Sequence, residues 1–250
     1  MTLTEKQCRR LNEAEGNLQE QDGIECKVCR NKGEVYFVRD EKYLTVKECE
    51  CMKRRRTIKR AMKSGLFEAL KECRLENFET PEAWQMEMKS KAYSFCTDEN
   101  AKWFYIGGQP GCGKTFICTA ICGKLIKQGK ECRYMLWRDE VVKLKASVTD
   151  TEYQKVMDEL KSAEVLYIDD FLKTTNGGEP TQGDMNIAFE LLNHRMLDKS
   201  KRTILSSEYP IQEALRFDEA TISRIFERAG VYKISIGRDI SKNYRMREQG

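Results

Sequence analysis

Five short apolar runs, rich in residues that favour β-strands, recur along the second part of the chain. They are WFYIG (103–107), CRYMLW (132–137), VLYID (165–169), RTILSS (202–207) and VYKISI (231–236). Stretches with helical character lie between them, such as 115–128 and 184–197. This alternation is typical of a parallel sheet with helices on both faces. The pattern therefore predicts an α/β fold around a five-stranded parallel sheet flanked by helices.

The first part of the chain has a different pattern. Residues 33–48, GEVYFVRDEKYLTVKE, indicate two strands around a polar turn. The run CMKRRRTIKRAMK (51–63) contains seven Lys or Arg residues and no acid, and we expect it to be helical until Ser64-Gly65. We therefore predict a small N-terminal domain over residues 1–75 and a larger domain over residues 76–250.

Composition and charge narrow the class of protein. Charged residues make up 34% of the 250 residues, and the net charge at pH 7 is +4, which is too mild to indicate a nucleic-acid partner by itself. No apolar run approaches the roughly 18–20 residues of a membrane span, and the N-terminal stretch lacks a secretory apolar core. We therefore expect a cytoplasmic protein that is not associated with a membrane.

The stretch from Gly108 to Thr115 fits G-x-x-x-x-G-K-[ST], the pattern of a phosphate-binding P-loop, and it follows a predicted strand and opens a predicted helix. We expect Lys114 to reach the β- and γ-phosphates of ATP and Thr115 to bind Mg²⁺. Contacts to the adenine are placed only approximately, around Asn77 and Phe78. The predicted nucleotide-binding residues are Gly108, Gln109, Pro110, Gly111, Cys112, Gly113, Lys114, Thr115 and Phe116.

Two further strand ends carry residues suited to phosphate chemistry. VLYIDDF predicts a buried strand whose Asp169 holds Mg²⁺ through water, while Asp170 orients or deprotonates the attacking water. Many ATPases have Glu at this second position, so the shorter Asp indicates either a closer water or slow hydrolysis. RTILSSEYP predicts a neighbouring strand, from which Ser206 or Ser207 hydrogen-bonds the γ-phosphate or the water.

The segment ISRIFERAG places Arg224 and Arg228 four residues apart, on one face of a helix. P-loop ATPases often use an arginine, sometimes from a neighbouring subunit, to stabilise charge on the transferred phosphoryl group. The alternative is a pair of surface arginines that are bound to nearby acids. For an isolated pair at this spacing, surface arginines paired with Glu227 or Asp218 are the favoured interpretation.

Taken in order, GGQPGCGKT, YIDDFLK, TILSSE, SRIFER and KNYR, over residues 102–245, resemble the AAA+ ATPases of the DnaC/DnaI helicase-loader family. The N-terminal CKVCRNKGEV and CEC resemble the cysteine module of the same proteins, so the resemblance covers nearly the whole chain. It implies an ATP-hydrolysing loader whose N-terminal domain grips a ring-shaped, DnaB-like replicative helicase. The AAA+ domains of such loaders assemble side by side and bind single-stranded DNA.

The resemblance also implies roles for single residues. Arg228 resembles an arginine finger that acts in trans with Arg224 nearby, Arg245 resembles a phosphate-sensing arginine, and Ser207 resembles the polar sensor, although some relatives have Asn near that position. The alternatives are an IstB-like transposition ATPase, a P-loop kinase and a nucleotide-sensing DNA-binding module with little turnover. The N-terminal cysteines favour the loader over the transposition ATPase.

Four of the eleven cysteines cluster around the predicted hairpin: Cys26, Cys29, Cys49 and Cys51. Four thiolates at the base of a hairpin can form a tetrahedral Zn²⁺ site, although the one-residue gap between Cys49 and Cys51 requires a bend in the backbone. The resemblance strengthens the prediction of a zinc-binding N-terminal domain, and free buried thiols are the alternative. The basic run 51–63 has two open interpretations, a contact with DNA or helicase and a solvated helix face.

Overall fold

The computed structural model describes residues 2–63, 66–148 and 150–246. Within these ranges the strands form two sheets, an antiparallel hairpin and a five-stranded parallel sheet. The hairpin consists of β1 (Glu34–Arg39) and β2 (Tyr43–Glu48). The larger sheet consists of β3 (Trp103–Gly108), β4 (Cys132–Leu136), β5 (Val165–Phe171), β6 (Arg202–Ser207) and β7 (Lys233–Ile236).

The helices of the described residues surround both sheets. They are α1 (Leu3–Glu13), α2 (Leu18–Asp22), α3 (Cys51–Lys63), α4 (Leu66–Glu72), α5 (Ala83–Thr97), α6 (Lys114–Lys127), α7 (Trp137–Ala146), α8 (Thr151–Ser162), α9 (Gln182–Leu197), α10 (Ile211–Ala214) and α11 (Glu219–Ala229). Among them, none is long and apolar enough to cross a membrane.

The parallel sheet has the strand order β4-β5-β6-β3-β7, which confirms the predicted five-stranded α/β core. All residues of β3 and β6 are buried, as expected for inner strands of a parallel sheet with both faces covered. Because all five strands are parallel, their carboxyl ends lie along one edge. Strand β6 lies between β5 and β3, so this edge brings together the loops that follow all three strands.

Two apolar layers cover the faces of the sheet. On one face, α7, α8, α9 and α11 enclose buried side chains such as Trp137 and Phe171, whose rings meet edge to face at 5.0 Å. On the other face, α5 and α6 enclose Phe95 and Phe104, together with Cys118 from α6. Separate burial of each face explains why the sequence alternates so regularly between strand and helix.

The N-terminal unit is built on the predicted hairpin, which the structure confirms, and α1 packs against it. The side-chain amide of Asn12 ties the two together, because its Nδ2 donates to the carbonyl of Tyr36 (2.7 Å) and its Oδ1 accepts from the N–H of the same residue (2.9 Å). The side chain of Asn12 thus provides hydrogen-bond partners for two backbone groups at the edge of β1 that would otherwise have none in the sheet.

Helices α3 and α4 connect the two parts of the chain. Both pack against α6, and α3 also contacts β4, where the N–H of Cys132 donates to Thr57 Oγ1 (3.3 Å). The boundary expected at residue 75 therefore crosses a packed region and does not lie in an open linker. Arg55 of the basic run is buried and bonded to Asp22 (2.5 Å), so neither interpretation of that run applies to it.

A buried arginine holds three elements together on the other side of the sheet. Arg195 of α9 is 1% exposed, and its guanidinium donates to Thr203 Oγ1 and to the carbonyl oxygens of Leu160, Lys161, Ala163 and Arg202. Burial lowers the pKa of Arg195 to about 10 against an opposing effect of Asp198, so the group stays charged at neutral pH.

Replacing Arg195 by alanine leaves several buried carbonyl groups without a donor. We expect Arg195→Ala to lower the free energy of unfolding by about 3 kcal/mol or more. The control is Arg138→Ala, since Arg138 is 42% exposed and pairs only with the adjacent Asp139; it should change the free energy of unfolding by less than about 0.5 kcal/mol. Urea unfolding of both variants measures the difference, and equal stabilities would contradict this role of Arg195.

Candidate functional site

The P-loop occupies the turn between the end of β3 and the start of α6 at Lys114. Gly108 has a φ of 149°, and a Cβ there would lie 2.5 Å from the carbonyl oxygen of Ile236. Gly111 has a φ of 80°, and a Cβ there would lie 1.9 Å from Asn243 Oδ1. Gly108 therefore requires glycine for space as well as for backbone conformation, whereas at Gly111 the φ favours glycine and a Cβ would displace the side chain of Asn243.

Lys114 lies under this loop and is almost completely buried. Its ammonium group donates to the carbonyl oxygens of Gly108 and Gln109, each at 2.7 Å. The thiol of Cys112 is also buried and donates to the carbonyl of Gln109 (3.0 Å). The lysine thus places its charge at the start of α6, whose free N–H groups add a partial positive charge.

A cavity of about 260 Å³ opens above the loop. Its walls combine the P-loop and the first turn of α6 with side chains from three other segments. The lining residues are Pro110, Gly111, Gly113, Lys114, Thr115, Phe116, Asp170, Lys173, Glu208 and Arg245. Three cations and two anions thus line a space of the size needed for a phosphate chain.

Asp169 is the buried acid of this site, with 5% of its surface exposed. Its Oδ1 accepts from the hydroxyl of Thr115 (3.3 Å) and from the hydroxyl of Ser206, and its Oδ2 accepts from the hydroxyl of Tyr134 (3.2 Å). Burial raises the pKa of Tyr134, and the nearby Asp169 carboxylate raises it further, so the phenol stays protonated and donates. The structure thus brings together the two predicted ligands of Mg²⁺, Thr115 and Asp169.

Asp170 lies at an irregularity in β5, where the pairing with β6 shifts register between Ile168 and Phe171. Its φ is 54°, and its N–H donates to Asp169 Oδ1 and Ser206 Oγ, each at 3.2 Å. The bulge turns the side chain of Asp170 into the cavity, away from the buried direction that Asp169 takes.

Lys173 and Glu208 also lie in this cavity, and sequence reasoning did not name them. Lys173 Nζ is 3.2 Å from Asp170 Oδ2 and 2.7 Å from Glu208 Oε1. Burial alone would lower the pKa of Lys173, but the hydrogen bond with Glu208 and the charge of Asp170 outweigh it, and the pKa is raised. A signal was present, since Glu208 directly follows β6 and Lys173 lies two residues after the end of β5, and both strand ends were already assigned to phosphate chemistry.

The two serines of β6 have different surroundings. Ser206 donates to Asp169, whereas Ser207 Oγ donates to the carbonyl of Phe171 (2.8 Å) and accepts from the N–H of Tyr209 (3.1 Å). Both are fully buried. The structure thus differs from the expectation for Ser207, because adjacent strand residues point to opposite faces and only Ser206 faces the acid.

The segment that contains Arg245 packs along the P-loop. The N–H of Tyr244 donates to the carbonyl of Gly111 (3.0 Å). The side-chain amide of Gln109 forms two hydrogen bonds with the backbone of Asp239, at 2.6 and 2.7 Å. These bonds place Arg245 at the cavity, and the resemblance implied that this residue is a phosphate sensor.

Of the two residues expected near the adenine, one adjoins the loop. The ring of Phe78 packs on that of Phe116 at 5.4 Å and lies close to Gly113. The amide of Asn77 instead donates to the carbonyl of Glu72 (3.4 Å). Phe78 therefore forms an apolar wall next to the P-loop, while the side chain of Asn77 is directed elsewhere.

Arg224 and Arg228 lie outside the phosphate cavity of their own chain. Arg224 Nη1 donates to Asn193 Oδ1 on α9 (3.1 Å). Arg228, near the end of α11, lines a separate cavity with Lys102 and Trp103 at the amino end of β3. The P-loop follows the opposite end of that strand, so these arginines do not meet phosphates bound in the same chain.

The four cysteines of the N-terminal unit meet at the base of the hairpin. Their Sγ atoms all lie within 4.8 Å of one another, with 3.8 Å between Cys26 and Cys49 and 3.6 Å between Cys29 and Cys51. Four thiolates at about 2.3 Å from a tetrahedral Zn²⁺ are about 3.8 Å apart, whereas a disulfide requires about 2.05 Å. The spacing therefore fits zinc.

The backbone around the cluster explains the short gap between Cys49 and Cys51. Cys49 follows the last residue of β2 and Cys51 opens α3, so the chain bends between them. On the other side, the N–H of Gly33 donates to Cys29 Sγ (3.3 Å). Burial raises the pKa of Cys29, but this N–H and the neighbouring thiols outweigh burial and lower it to about 7. Burial raises the pKa of Cys49 and Cys51 in the same cluster, so Cys29 forms the thiolate most readily of these three.

Comparison with known proteins assigns the chain to a family. The family model described as "IstB-like ATP binding protein" matches residues 30–236. This range includes Cys49 and Cys51 of the thiol cluster, the P-loop and β5 to β7. The chain belongs to the IstB-like ATP-binding protein family. The family description agrees with the geometry of the phosphate cavity.

Relatives of this IstB-like protein include the uncharacterised protein YqaM of Bacillus subtilis, 33% identical over 80% of this chain and 66% of YqaM. Replicative helicase loader DnaC of Escherichia coli is 29% identical over 50% of this chain and 51% of the loader. The matched part thus spans less than two thirds of YqaM and about half of DnaC.

A crystal structure of the DnaC helicase loader, 18% identical, superimposes with a TM-score of 0.56 over 66% of this chain and 97% of that chain. The sheet domain therefore has the AAA+ fold.

We expect this IstB-like protein to be purified with one Zn²⁺ per chain. Cys29→Ser should release the metal and unfold the N-terminal unit, because the unit is small and the metal ties the hairpin to α3. Elemental analysis and a thiol-sensitive zinc chelator measure this, with circular dichroism as the second readout. Cys8→Ser is the control, since Cys8 lies in α1 outside the cluster. Full zinc content in Cys29→Ser would contradict the four-thiolate site.

Proposed function

We propose that this IstB-like protein is a Mg²⁺-dependent ATPase that loads a replicative, DnaB-like helicase onto single-stranded DNA. The observation that carries the proposal is the contact of Thr115 with Asp169 beside Lys114, at the mouth of one cavity. The similarity to the loader DnaC supports the choice of partner. The AAA+ fold supports an assembly in which ATP binding controls contacts between subunits.

Binding of the phosphates follows from the bonds of Lys114. Its ammonium group exchanges the carbonyl oxygens of Gly108 and Gln109 for β- and γ-phosphate oxygens, while the N–H groups at the start of α6 donate to the same phosphates. Thr115 and Asp169 are the residues that would hold Mg²⁺. An ion held by these two residues would supply positive charge that offsets the negative charge of the phosphates.

The remaining groups of the cavity act on the γ-phosphate. Asp170 and Arg245 both line the cavity, and Arg245 is placed to sense the phosphate through the packing of its segment on the P-loop. Ser206, which bonds Asp169, takes the role that the resemblance gave to Ser207. Arg224 and Arg228 lie away from their own cavity, which supports a homo-oligomer in which one subunit supplies Arg228 to the next.

Contact with the helicase is assigned to the N-terminal unit. Phe37 and Tyr43 lie on the same face of the hairpin and are 42% and 65% exposed. Zinc held by the four cysteines would fix that hairpin on α3. Helix α6 begins at the phosphates and packs against α3 and α4, so a change at Lys114 has a direct path to the hairpin.

Single-stranded DNA would be bound by basic surface of the assembled AAA+ domains. The basic run, which lies in the N-terminal domain, could add to this surface only in part, since Arg54 and Lys59 are exposed while Arg55 is buried. The second candidate function is an IstB-like ATPase that assists a transposase, and the family description favours it equally. The four-cysteine hairpin supports the loader.

The phosphate site is tested with three variants. We expect Lys114→Ala to weaken binding of a fluorescent ATP analogue at least about tenfold, and Thr115→Val and Asp169→Asn to lower the Mg²⁺-dependent ATPase rate about a hundredfold. Lys127→Ala, at the exposed end of the same helix, is the control and should leave both unchanged. Rates are measured with and without single-stranded DNA. Unchanged ATP binding in Lys114→Ala would refute the site.

The partner is tested by copurification with the replicative helicase of the source organism in the presence of ATP. We expect the double variant Phe37→Ser/Tyr43→Ser to lose the complex, because both exposed rings lie on one face of the hairpin. Val142→Ser, at an exposed apolar position of α7, should retain it. If the intact protein forms no complex with the helicase and instead copurifies with a transposase, the transposition ATPase replaces the loader.

A further inference from the structure

Two carboxylates, Asp170 and Glu208, share the ammonium group of Lys173 at the phosphate cavity. We propose that Glu208 is the catalytic base, which takes the proton of the attacking water, and that Lys173 positions it. This proposal rests on the ATPase activity given under the proposed function. It assigns the base to a different strand from the one that carries the Mg²⁺-binding acid.

The first argument is the position of Glu208 in the sheet. Ser207, the last residue of β6, is paired with Gly107 of β3, so Glu208 leaves the sheet directly beside the start of the P-loop. Strand β5, which carries Asp170, is one strand further from β3. Neighbouring strands are about 4.8 Å apart, so the backbone of Glu208 leaves the sheet closer to β3, the strand that leads into the P-loop, than the backbone of Asp170 does.

The second argument is the geometry of Asp170. Its N–H is bonded to Asp169 and Ser206, and its φ of 54° is fixed by the bulge in β5. The direction of this short side chain is therefore set by the backbone. Glu208 has one methylene more and no such constraint from a bulge, and it enters the cavity from the central side of the sheet.

The third argument is the way in which Lys173 holds the two acids. Its Nζ is closer to Glu208 (2.7 Å) than to Asp170 (3.2 Å). The positive charge offsets the repulsion between two carboxylates that line one cavity, and it fixes the direction of the longer side chain. Side chains that are 27–31% exposed remain accessible to water, as a base that accepts its proton from water must be.

The chemical step is a hydrolysis in which every atom is accounted for. The water oxygen forms a bond to the γ-phosphorus while the bond from that phosphorus to the β–γ bridging oxygen breaks. The electron pair of the broken bond stays with ADP. The proton of the water passes to a carboxylate oxygen of Glu208 and from there to solvent.

The test compares isosteric variants of the whole chain. We expect Glu208→Gln to lower kcat about a hundredfold or more while the Kd of a fluorescent ATP analogue changes less than twofold. Asp170→Asn should lower kcat less than tenfold. Glu179→Gln removes an exposed glutamate that is paired with Arg216 outside the cavity, and it should leave kcat unchanged.

A double-variant cycle tests whether Lys173 acts through Glu208. We expect Lys173→Gln to lower kcat about tenfold without changing KM, and Lys173→Arg to restore most of it. In the Glu208→Gln background, Lys173→Gln should cause little further loss of kcat, because the carboxylate that Lys173 positions is already absent. A purely structural role of Lys173 would give the same loss in both backgrounds and would overturn the positioning role.

Two results would overturn the assignment of the base. One is a kcat that falls more in Asp170→Asn than in Glu208→Gln, which would make Asp170 the base. The other is a wild-type protein that binds ATP but does not hydrolyse it, with or without single-stranded DNA, which would remove the ATPase activity as well. Failure to bind the helicase would refute only the loader, because hydrolysis by Glu208 is measured without that partner.

Discussion

A buried carboxylate is stable only when hydrogen-bond donors surround it, and Asp169 meets this requirement with hydroxyl groups from three neighbouring elements. Thr115 comes from α6, Tyr134 from β4 and Ser206 from β6. The acid thus fixes the relative positions of these elements at the carboxyl edge of the sheet. The P-loop lies on one side of it and the bulge at Asp170 on the other, so the geometry of the cavity depends on this one group.

Helix α6 extends that constraint across the molecule. Its first residue, Lys114, belongs to the P-loop, and its outer side packs on α3 and α4. Helix α3 begins at Cys51, a member of the thiol cluster. Packing of α6 on α3, and the position of Cys51 at the start of α3, therefore connect the phosphate cavity with the hairpin. The basic run therefore contributes to the packing between the two parts of the chain, and its Arg55 is buried against Asp22.

Local pattern was enough to predict the strands, the hairpin and the P-loop, because hydrophobic periodicity and glycine spacing directly reflect burial and backbone conformation. The pairing of Thr115 with Asp169 also followed, since parallel strands end at one edge. The choice between Ser206 and Ser207 did not follow, because a shift of one residue reverses the face of a strand. Lys173 and Glu208 were missed because their contact joins the ends of two strands, and the position of Lys173 depends on a bulge in β5 that the sequence does not reveal.

The close packing of Gly111 against Asn243 has a consequence for how such a chain can evolve. A side chain at position 111 would occupy the space of the Asn243 amide, more than a hundred residues later in the sequence. Substitutions at the two positions are therefore not independent, and an insertion in the segment around Asn243 would disturb its packing against the P-loop. In an alignment of related sequences, we expect positions 111 and 243 to covary.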